Sequence, residues 1–143
     1  MTKVNRLEKV ARKWLETPFV HQASVLGQGA DCLGFVRGVW TELNFDRDLP
    51  RMDYAKNWFE ETTIERLYLG LSAYLIEDKC AEPQKHRITL FRLFRRYPAQ
   101  HVGITLVHKD HALTLIHSIA GHGVVEVPLS NKWRSRIVTQ FRI

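Results

Sequence analysis

The chain contains few cysteines and no long apolar run, and both shortages limit what the protein can be. Its 143 residues include only two cysteines, Cys32 and Cys80, far apart in the sequence. Two isolated cysteines exclude a disulfide framework and a Cys-rich zinc site. No segment approaches a membrane span, and the first ten residues lack the apolar stretch of a signal peptide. We therefore expect a protein made in the cytoplasm, without membrane insertion.

Hydrophobic side chains and positive charge are what the chain has in quantity. Hydrophobic residues make up 45% of the sequence and include four tryptophans, so one domain over residues 1–143 can bury a core without disulfides or metals. The net charge of +6 suits an anionic polymer such as a bacterial cell wall. Residues 87–97 interleave arginines with aromatic residues, but no nucleic-acid reading motif accompanies them. We expect no nucleic-acid partner.

Hydrophobic spacing predicts helices in the first half of the chain and strands in the second. The predicted helices cover residues 3–16, 32–43 and 58–78, and a loop containing Asp46 and Asp48 covers 44–54. The predicted strands cover residues 88–94, 101–107, 112–118, 124–127 and 133–143. Ile64, Leu67, Leu71 and Leu75 are expected to face inward, together with Tyr68 and Tyr74. Helices followed by an antiparallel sheet indicate an α+β fold.

Cys32 lies where a glycine-containing loop, Gly27-Gln28-Gly29-Ala30, runs into a helical pattern. Asp31 before it is a candidate N-cap. The N–H groups and the dipole of a helix start favour a thiolate, so we expect the pKa of Cys32 to lie below the ordinary value of about 8.5. A positioned thiolate with a histidine to move its proton can perform acyl transfer. Cys80 is predicted to be a small core residue instead.

Gly34 and Gly38 weaken the helix that follows Cys32, since glycine costs about 1 kcal/mol relative to alanine in a helix interior. We expect close approach by another segment as compensation. A histidine-bearing strand would need such an approach in order to reach the cysteine.

Five of the seven histidines lie between residues 101 and 122. No element carries a histidine pair at ligand spacing with a carboxylate, so we expect no metal. His101 and His117 lie in strands otherwise made of apolar and small residues, which predicts that both are buried beside a partner. They face the same side only if the connecting loop has an odd length or a bulge intervenes. Three loop residues, 108–110, would place Val107 opposite His111.

These blocks together resemble the NlpC family of papain-like cell-wall cysteine peptidases, in particular its phage and gene-transfer-agent branch. The resemblance rests on Thr17-Pro18-Phe19-Val20-His21-Gln22, Asp31-Cys32-Leu33-Gly34-Phe35-Val36-Arg37-Gly38-Val39-Trp40, Pro98-Ala99-Gln100-His101-Val102-Gly103-Ile104, Ile116-His117, Gly123-Val124-Val125-Glu126-Val127-Pro128-Leu129 and Trp133. It implies a papain-like α+β fold. It also implies Cys32 as the nucleophile, His101 as the general base, and His117 as the residue that orients the imidazole.

The resemblance further implies hydrolysis of an amide bond in peptidoglycan stem peptides, between D-glutamate and a diamino acid, through a thioester and without a cofactor. Its implied setting is a phage tail or gene-transfer particle, whose proteins would be partners and which would carry the enzyme to the cell wall. Two alternatives remain open. One is a tail-tip structural or wall-binding protein with little activity, and the other is an amidase or acyltransferase of the same fold.

Phe19 departs from the family pattern, which has a tyrosine there with its hydroxyl near the nucleophile. His21 or Gln22 could substitute for that hydroxyl. Together with Phe19 and Asp31 they form the predicted substrate-binding and oxyanion-binding set, to which the Cys32 backbone N–H adds a donor.

Overall fold

Helices occupy the first half of the chain and most strands the second, as the hydrophobic spacing predicts. The computed structural model describes residues 2–45, 47 and 49–143, so Asp46 and Asp48 of the predicted loop lie outside the described residues. The helices are α1 (Lys3–Lys13), α2 (Cys32–Leu43), α3 (Arg66–Tyr74) and α4 (Asn131–Arg134), with a 3-10 helix at Trp58–Glu61. The strands are β1 (Ser24–Val25), β2 (Gly29–Ala30), β3 (Glu77–Asp78), β4 (Arg87–Phe91), β5 (His101–Val107), β6 (Leu113–Ile119), β7 (Gly123–Pro128) and β8 (Ile137–Arg142).

Six of the described strands form one antiparallel sheet in the order β3-β8-β4-β5-β6-β7. β1 and β2 form a separate hairpin immediately before α2. The central helix α2 packs across β5 and β6, and α1 packs against α2. The α+β prediction is therefore confirmed, and the inner strands of the sheet lie under the start of α2.

The boundaries of the first two helices follow from their capping residues. The Thr2 hydroxyl accepts the Asn5 N–H, and α1 ends at Lys13, before the predicted stop at Thr17-Pro18. Asp31 caps α2, because its Oδ1 accepts the Gly34 N–H at 2.8 Å. α2 therefore begins at Cys32, where the sequence pattern predicts it.

Both glycines of α2 are sites of close approach, although the histidine strand is not the approaching segment. A Cβ on Gly34 would lie 1.8 Å from the carbonyl oxygen of Ala23, in the loop that precedes β1. A Cβ on Gly38 would lie 2.2 Å from the Trp14 ring at the end of α1. The glycines therefore let α1 and the loop before β1 pack tightly on α2.

The predicted third helix, 58–78, was wrong as one element. It divides into the 3-10 helix, α3 and β3. Thr62 and Thr63 precede Ile64, and the Thr62 hydroxyl accepts the Ile64 N–H at 3.0 Å, a local bond that competes with a helix. Ile64 and Tyr74 are more than half exposed rather than inward, whereas Leu67, Leu71 and Leu75 are buried as predicted.

Three further predictions in the second half need correction. β4 ends at Phe91 rather than at residue 94. The last strand starts at Ile137, because the Arg134 N–H binds the Ser130 carbonyl and winds the preceding segment, with Trp133, into α4. Cys80 is exposed in the connection after β3 and is not a core residue.

The β5–β6 hairpin has a loop of odd length, which places His101 and His117 on one face, but the loop is longer than predicted. Val107 pairs with Leu113 rather than with His111, which leaves residues 108–112 as the loop. The change of two residues keeps the alternation of faces unaltered. His101 and His117 consequently face the same side of the sheet.

Gly34→Ala is expected to lower the free energy of unfolding by about 3 kcal/mol or more, because the added Cβ would overlap the Ala23 carbonyl. The matched control is Gly70→Ala in α3, whose Cβ would meet mainly the flexible Met52 side chain and which gains up to about 1 kcal/mol of helix propensity. Urea denaturation measures both. Equal stability of the two variants would contradict the close approach at Gly34.

Candidate active site

Cys32 lies at the first position of α2 on the wall of a cavity of about 260 Å³. Its side chain is half-buried. The cavity is mostly apolar, and its polar lining includes His101 from the start of β5. The other lining residues are Phe19, His21, Asp31, Leu33, Met52, Tyr54, Lys56, Trp58, Phe59, Arg66, Leu67, Leu93, Phe94, Gln100, Ser118, Ile119 and Ala120. A substrate in this cavity would meet the thiol and an imidazole together.

His101 and His117 form a buried pair on neighbouring strands. Nε2 of His101 lies 2.7 Å from Nδ1 of His117, and the two residues are 6% and 1% exposed. The Trp133 ring packs on both imidazoles, with ring centroids 5.9 Å from His101 and 4.8 Å from His117. Trp133 therefore belongs to the site as a covering residue, from a short helix rather than the predicted strand.

The hydrogen bond between the histidines can run in either direction, and one direction leaves His101 able to act as a base. If Nε2 of His101 carries the proton and donates it to Nδ1 of His117, then Nδ1 of His101 keeps a free lone pair. His117 then carries its own proton on Nε2. This arrangement leaves Nδ1 of His101 able to accept a proton.

Gly103 makes room for the histidine pair on the sheet. A Cβ on Gly103 would lie 3.0 Å from the His117 Cβ and 2.9 Å from the Ile116 carbonyl oxygen. Since Gly103 follows His101 by two positions in the same strand, both residues share a face. The absence of a side chain at Gly103 lets His117 approach β5 and reach the His101 ring.

Burial keeps both imidazoles uncharged at neutral pH. Desolvation lowers the pKa of His101 from 6.5 to about 3, with a smaller contribution from the nearby His117. Desolvation alone lowers the pKa of His117 to about 4. No carboxylate of the described residues contributes an opposing, upward shift to either ring, so desolvation decides the direction.

The pKa of Cys32 moves in the direction opposite to the sequence prediction. Burial and, to a smaller extent, the negative charge of Asp31 raise it from 9.0 to about 12. The N–H groups of Val102, Leu33 and Cys32 itself lower it, as a helix start should, but their effect is smaller. The expectation of a resting thiolate was therefore wrong: the free protein holds a thiol beside neutral histidines.

Asp31 is the centre of a hydrogen-bond network around the nucleophile. It is 3% exposed, and its Oδ2 accepts the Gln22 N–H at 2.7 Å and the Tyr54 hydroxyl. With the Gly34 N–H on Oδ1, the carboxylate has three donors. Asp31 is thus both the predicted N-cap and the residue that joins three segments at the site.

Two residues of the predicted substrate-binding and oxyanion-binding set, His21 and Gln22, make contacts different from those expected. Phe19 lines the cavity without a polar atom. His21 also lines the cavity, but its Nε2 donates to the Tyr54 carbonyl at 2.9 Å. The Gln22 side chain donates to the Met52 carbonyl at 3.3 Å and is absent from the cavity lining. Both side chains therefore bind backbone carbonyls of the segment that contains Tyr54.

Tyr54 is the site residue that sequence reasoning missed. Its hydroxyl reaches Asp31, its ring lines the cavity, and it interacts electrostatically with Cys32. Burial and the Asp31 bond raise its pKa. Tyr54 lies in a stretch without periodicity, so no pattern brings it to Cys32. The only signal is that Phe19 leaves a hydroxyl to be supplied from elsewhere.

Within residues 2–45, 47 and 49–143, no three His, Cys, Asp or Glu side chains cluster in a way that could hold a metal ion. The described helices include none with the length and apolarity needed to cross a membrane.

Solved structures that share this fold include two of the NlpC/p60 type. The NlpC/p60 domain of the peptidoglycan hydrolase SagA matches with a TM-score of 0.67 and 17% identity, over 100% of both chains. A lipoprotein-like protein of the NLP/P60 family from Staphylococcus aureus subsp. aureus Mu50 matches with a TM-score of 0.65 and 18% identity, over 99% of this chain and 41% of that one. No protein-family model and no curated protein matches the chain. The predicted NlpC-type fold is confirmed.

The free energy of unfolding should fall as the pH falls from about 6.5 towards 4 and 3. In this window the unfolded chain binds protons on His101 and His117 while the folded chain does not. The loss is up to about 1.4 kcal/mol per pH unit for each histidine. Urea denaturation at a series of pH values measures the slope.

His117→Asn should make that slope shallower, since one depressed histidine is removed. His122→Asn, at an exposed position between β6 and β7, should leave the slope as in the parent chain. The same slope in all three proteins would show that the buried pair does not set the acid sensitivity.

Proposed function

We propose that the chain is a cysteine peptidase that hydrolyses an amide bond in peptidoglycan stem peptides. The observation that carries the proposal is the placement of Cys32 and His101 on one cavity, with His101 bonded to His117 at 2.7 Å. The shared fold with NlpC/p60 domains, one of them from a peptidoglycan hydrolase, supports the substrate class. The net positive charge suits an anionic wall polymer.

In the first half of the reaction, the Cys32 sulfur attacks the carbonyl carbon of the scissile amide. Its proton passes to Nδ1 of His101, and the carbonyl oxygen becomes an oxyanion that the Cys32 backbone N–H can bind. His101 then gives the proton to the amide nitrogen. The C–N bond breaks, the amine leaves, and a thioester remains on Cys32.

In the second half, a water molecule attacks the thioester carbon and gives a proton to His101. The C–S bond breaks, the carboxylic acid leaves, and the proton returns to the sulfur. His117 accepts a hydrogen bond from His101 throughout and keeps its ring in position. Because the resting thiol is protonated, transfer of its proton has to accompany attack on the bound substrate.

The bond proposed for cleavage is that between D-glutamate and a diamino acid, and the proposed setting is a phage tail or gene-transfer particle that acts at the cell wall. Both finer statements rest on the sequence blocks around Cys32 and His101. Mass analysis of the products from a defined muropeptide identifies the bond.

An acyltransferase is the second candidate, because one observation favours it. The cavity beside Cys32 is lined mainly by apolar side chains, among them Phe19, Trp58 and Phe94, which suit an acyl group with an apolar body. An acyltransferase would move the acyl group from Cys32 to an amine or alcohol instead of water. Products that carry an added acyl group would favour it over the peptidase.

Cys32→Ala should abolish muropeptide hydrolysis, because the thioester cannot form. Any remaining hydrolysis should be slower than that of the parent chain by about 10³-fold or more. The measurement is release of the cleaved peptide, followed by chromatography and mass spectrometry. Cys80→Ala is the matched control, since Cys80 is exposed and lies away from the cavity, and it should retain full activity.

Absence of hydrolysis by the parent chain would contradict the peptidase and favour the structural or wall-binding alternative. Binding to isolated cell walls without cleavage would then be the expected behaviour. Equal hydrolysis by the parent chain and Cys32→Ala would exclude Cys32 as the nucleophile.

A further inference from the structure

Residues 49–56 form an irregular segment that lies over the start of α2. Three side chains from the region around the nucleophile donate hydrogen bonds to its backbone carbonyls. His21 binds the Tyr54 carbonyl at 2.9 Å, Gln22 binds the Met52 carbonyl at 3.3 Å, and Arg37 binds the Leu49 carbonyl at 3.1 Å. The segment has no helix or strand of its own, so these hydrogen bonds, those of Tyr54 and the burial of Leu49 help to fix its position.

Tyr54 donates a hydrogen bond from the 49–56 segment back to the residues around Cys32. Its hydroxyl donates to Oδ2 of Asp31, the residue that caps α2 immediately before Cys32. Its ring packs edge-on against His21, with ring centroids 5.3 Å apart, and lines the cavity beside the thiol. Tyr54 therefore joins the 49–56 segment directly to the helix cap.

Asp31 needs such a donor because it is a buried negative charge next to the nucleophile. Its other two donors are backbone N–H groups, from Gln22 and Gly34. A third donor disperses the charge further and reduces its influence on the sulfur. The titratable groups that share the cavity with Cys32 are His21, Asp31, Tyr54, Lys56, Arg66 and His101.

We propose that Tyr54 is a positioning residue for the nucleophile: its hydroxyl bond to Asp31 holds the 49–56 segment against the start of α2 and offsets the carboxylate charge beside Cys32. The proposal deepens the proposed function but needs only a reactive Cys32, whatever its substrate. Phe19 also lines the cavity but has no hydroxyl, whereas the Tyr54 hydroxyl binds Asp31 beside Cys32.

Tyr54→Phe removes the hydroxyl and keeps the ring. The measurement is the rate of Cys32 alkylation by iodoacetamide from neutral to alkaline pH, in a Cys80→Ala background. Without the hydroxyl, the Asp31 charge acts more strongly on the sulfur and the thiolate is scarcer at a given pH. The rate at fixed pH should fall about 3- to 10-fold, and the profile should move to higher pH.

Tyr68→Phe is the matched control, because its hydroxyl also binds a carboxylate, Glu77, at 2.7 Å, in a place outside the cavity. It should leave the alkylation profile unchanged. In an Asp31→Asn background the effect of Tyr54→Phe should shrink, since the charge that the hydroxyl offsets is gone. If Asp31→Asn does not fold, the comparison of Tyr54→Phe with Tyr68→Phe still decides the matter.

Several outcomes overturn the proposal: an unchanged or downward-shifted profile for Tyr54→Phe, an equal change in Tyr68→Phe, or an undiminished effect in the Asp31→Asn background. Where hydrolysis is measurable, Tyr54→Phe should lower kcat more than it raises KM. Since alkylation needs no peptidase activity, an upward shift in a chain that cleaves no muropeptide would support Tyr54 while contradicting the proposed function.

Discussion

The Asp31 carboxylate is the constraint on which the rest of the site depends. It ends the β1–β2 hairpin, caps α2, and so fixes Cys32 at the first helical position. It also binds the loop through the Gln22 N–H and the 49–56 segment through Tyr54. A buried carboxylate would be costly if unpaired, and three donors at one group offset that cost. One side chain thus determines where the helix starts and which segments surround the thiol.

Burial and, after it, the same carboxylate explain why the thiol is not ionised in the free protein. Helix-start N–H groups favour a thiolate, but burial and the adjacent negative charge outweigh them and raise the pKa to about 12. Burial also lowers the pKa of both histidines, so neither binds a proton at neutral pH. A thiolate–imidazolium pair would need mutual stabilisation within the cavity, and substrate that excludes water would strengthen that attraction. Without substrate, the thiol is therefore protonated and both imidazoles are neutral.

Elements that follow from a capping residue or a regular hydrophobic pattern were predictable from the sequence. Elements that depend on single contacts were not. The start of α2 at Cys32 and the bounds of β5 follow from a capping residue and from an apolar run. The break between the 3-10 helix and α3 depends on one Thr62 hydroxyl bond, and α4 depends on one turn after Ser130. Local competition of this kind leaves no periodic trace.

The candidate site divides in the same way. Alternation in β5 and β6 was enough to place His101 and His117 on one face, even though the loop is two residues longer than predicted. The pKa of Cys32 could not be predicted, because burial is a property of the assembled cavity and not of the helix start. Tyr54 could not be placed either, since its segment has no regular structure and its contacts come from residues distant in sequence.

Rigid and irregular parts have different tasks in this arrangement. The histidines lie on β5 and β6, two inner strands that are paired on both sides, and Trp133 covers them. The thiol lies on a capped helix start. The 49–56 segment has no helix or strand, and side-chain hydrogen bonds to its carbonyls help to hold it in place. Irregular segments held by few contacts open at lower free energy than sheet or helix. Differences in reactivity between chains with this fold can therefore arise in that segment while the sulfur and the imidazoles keep their places.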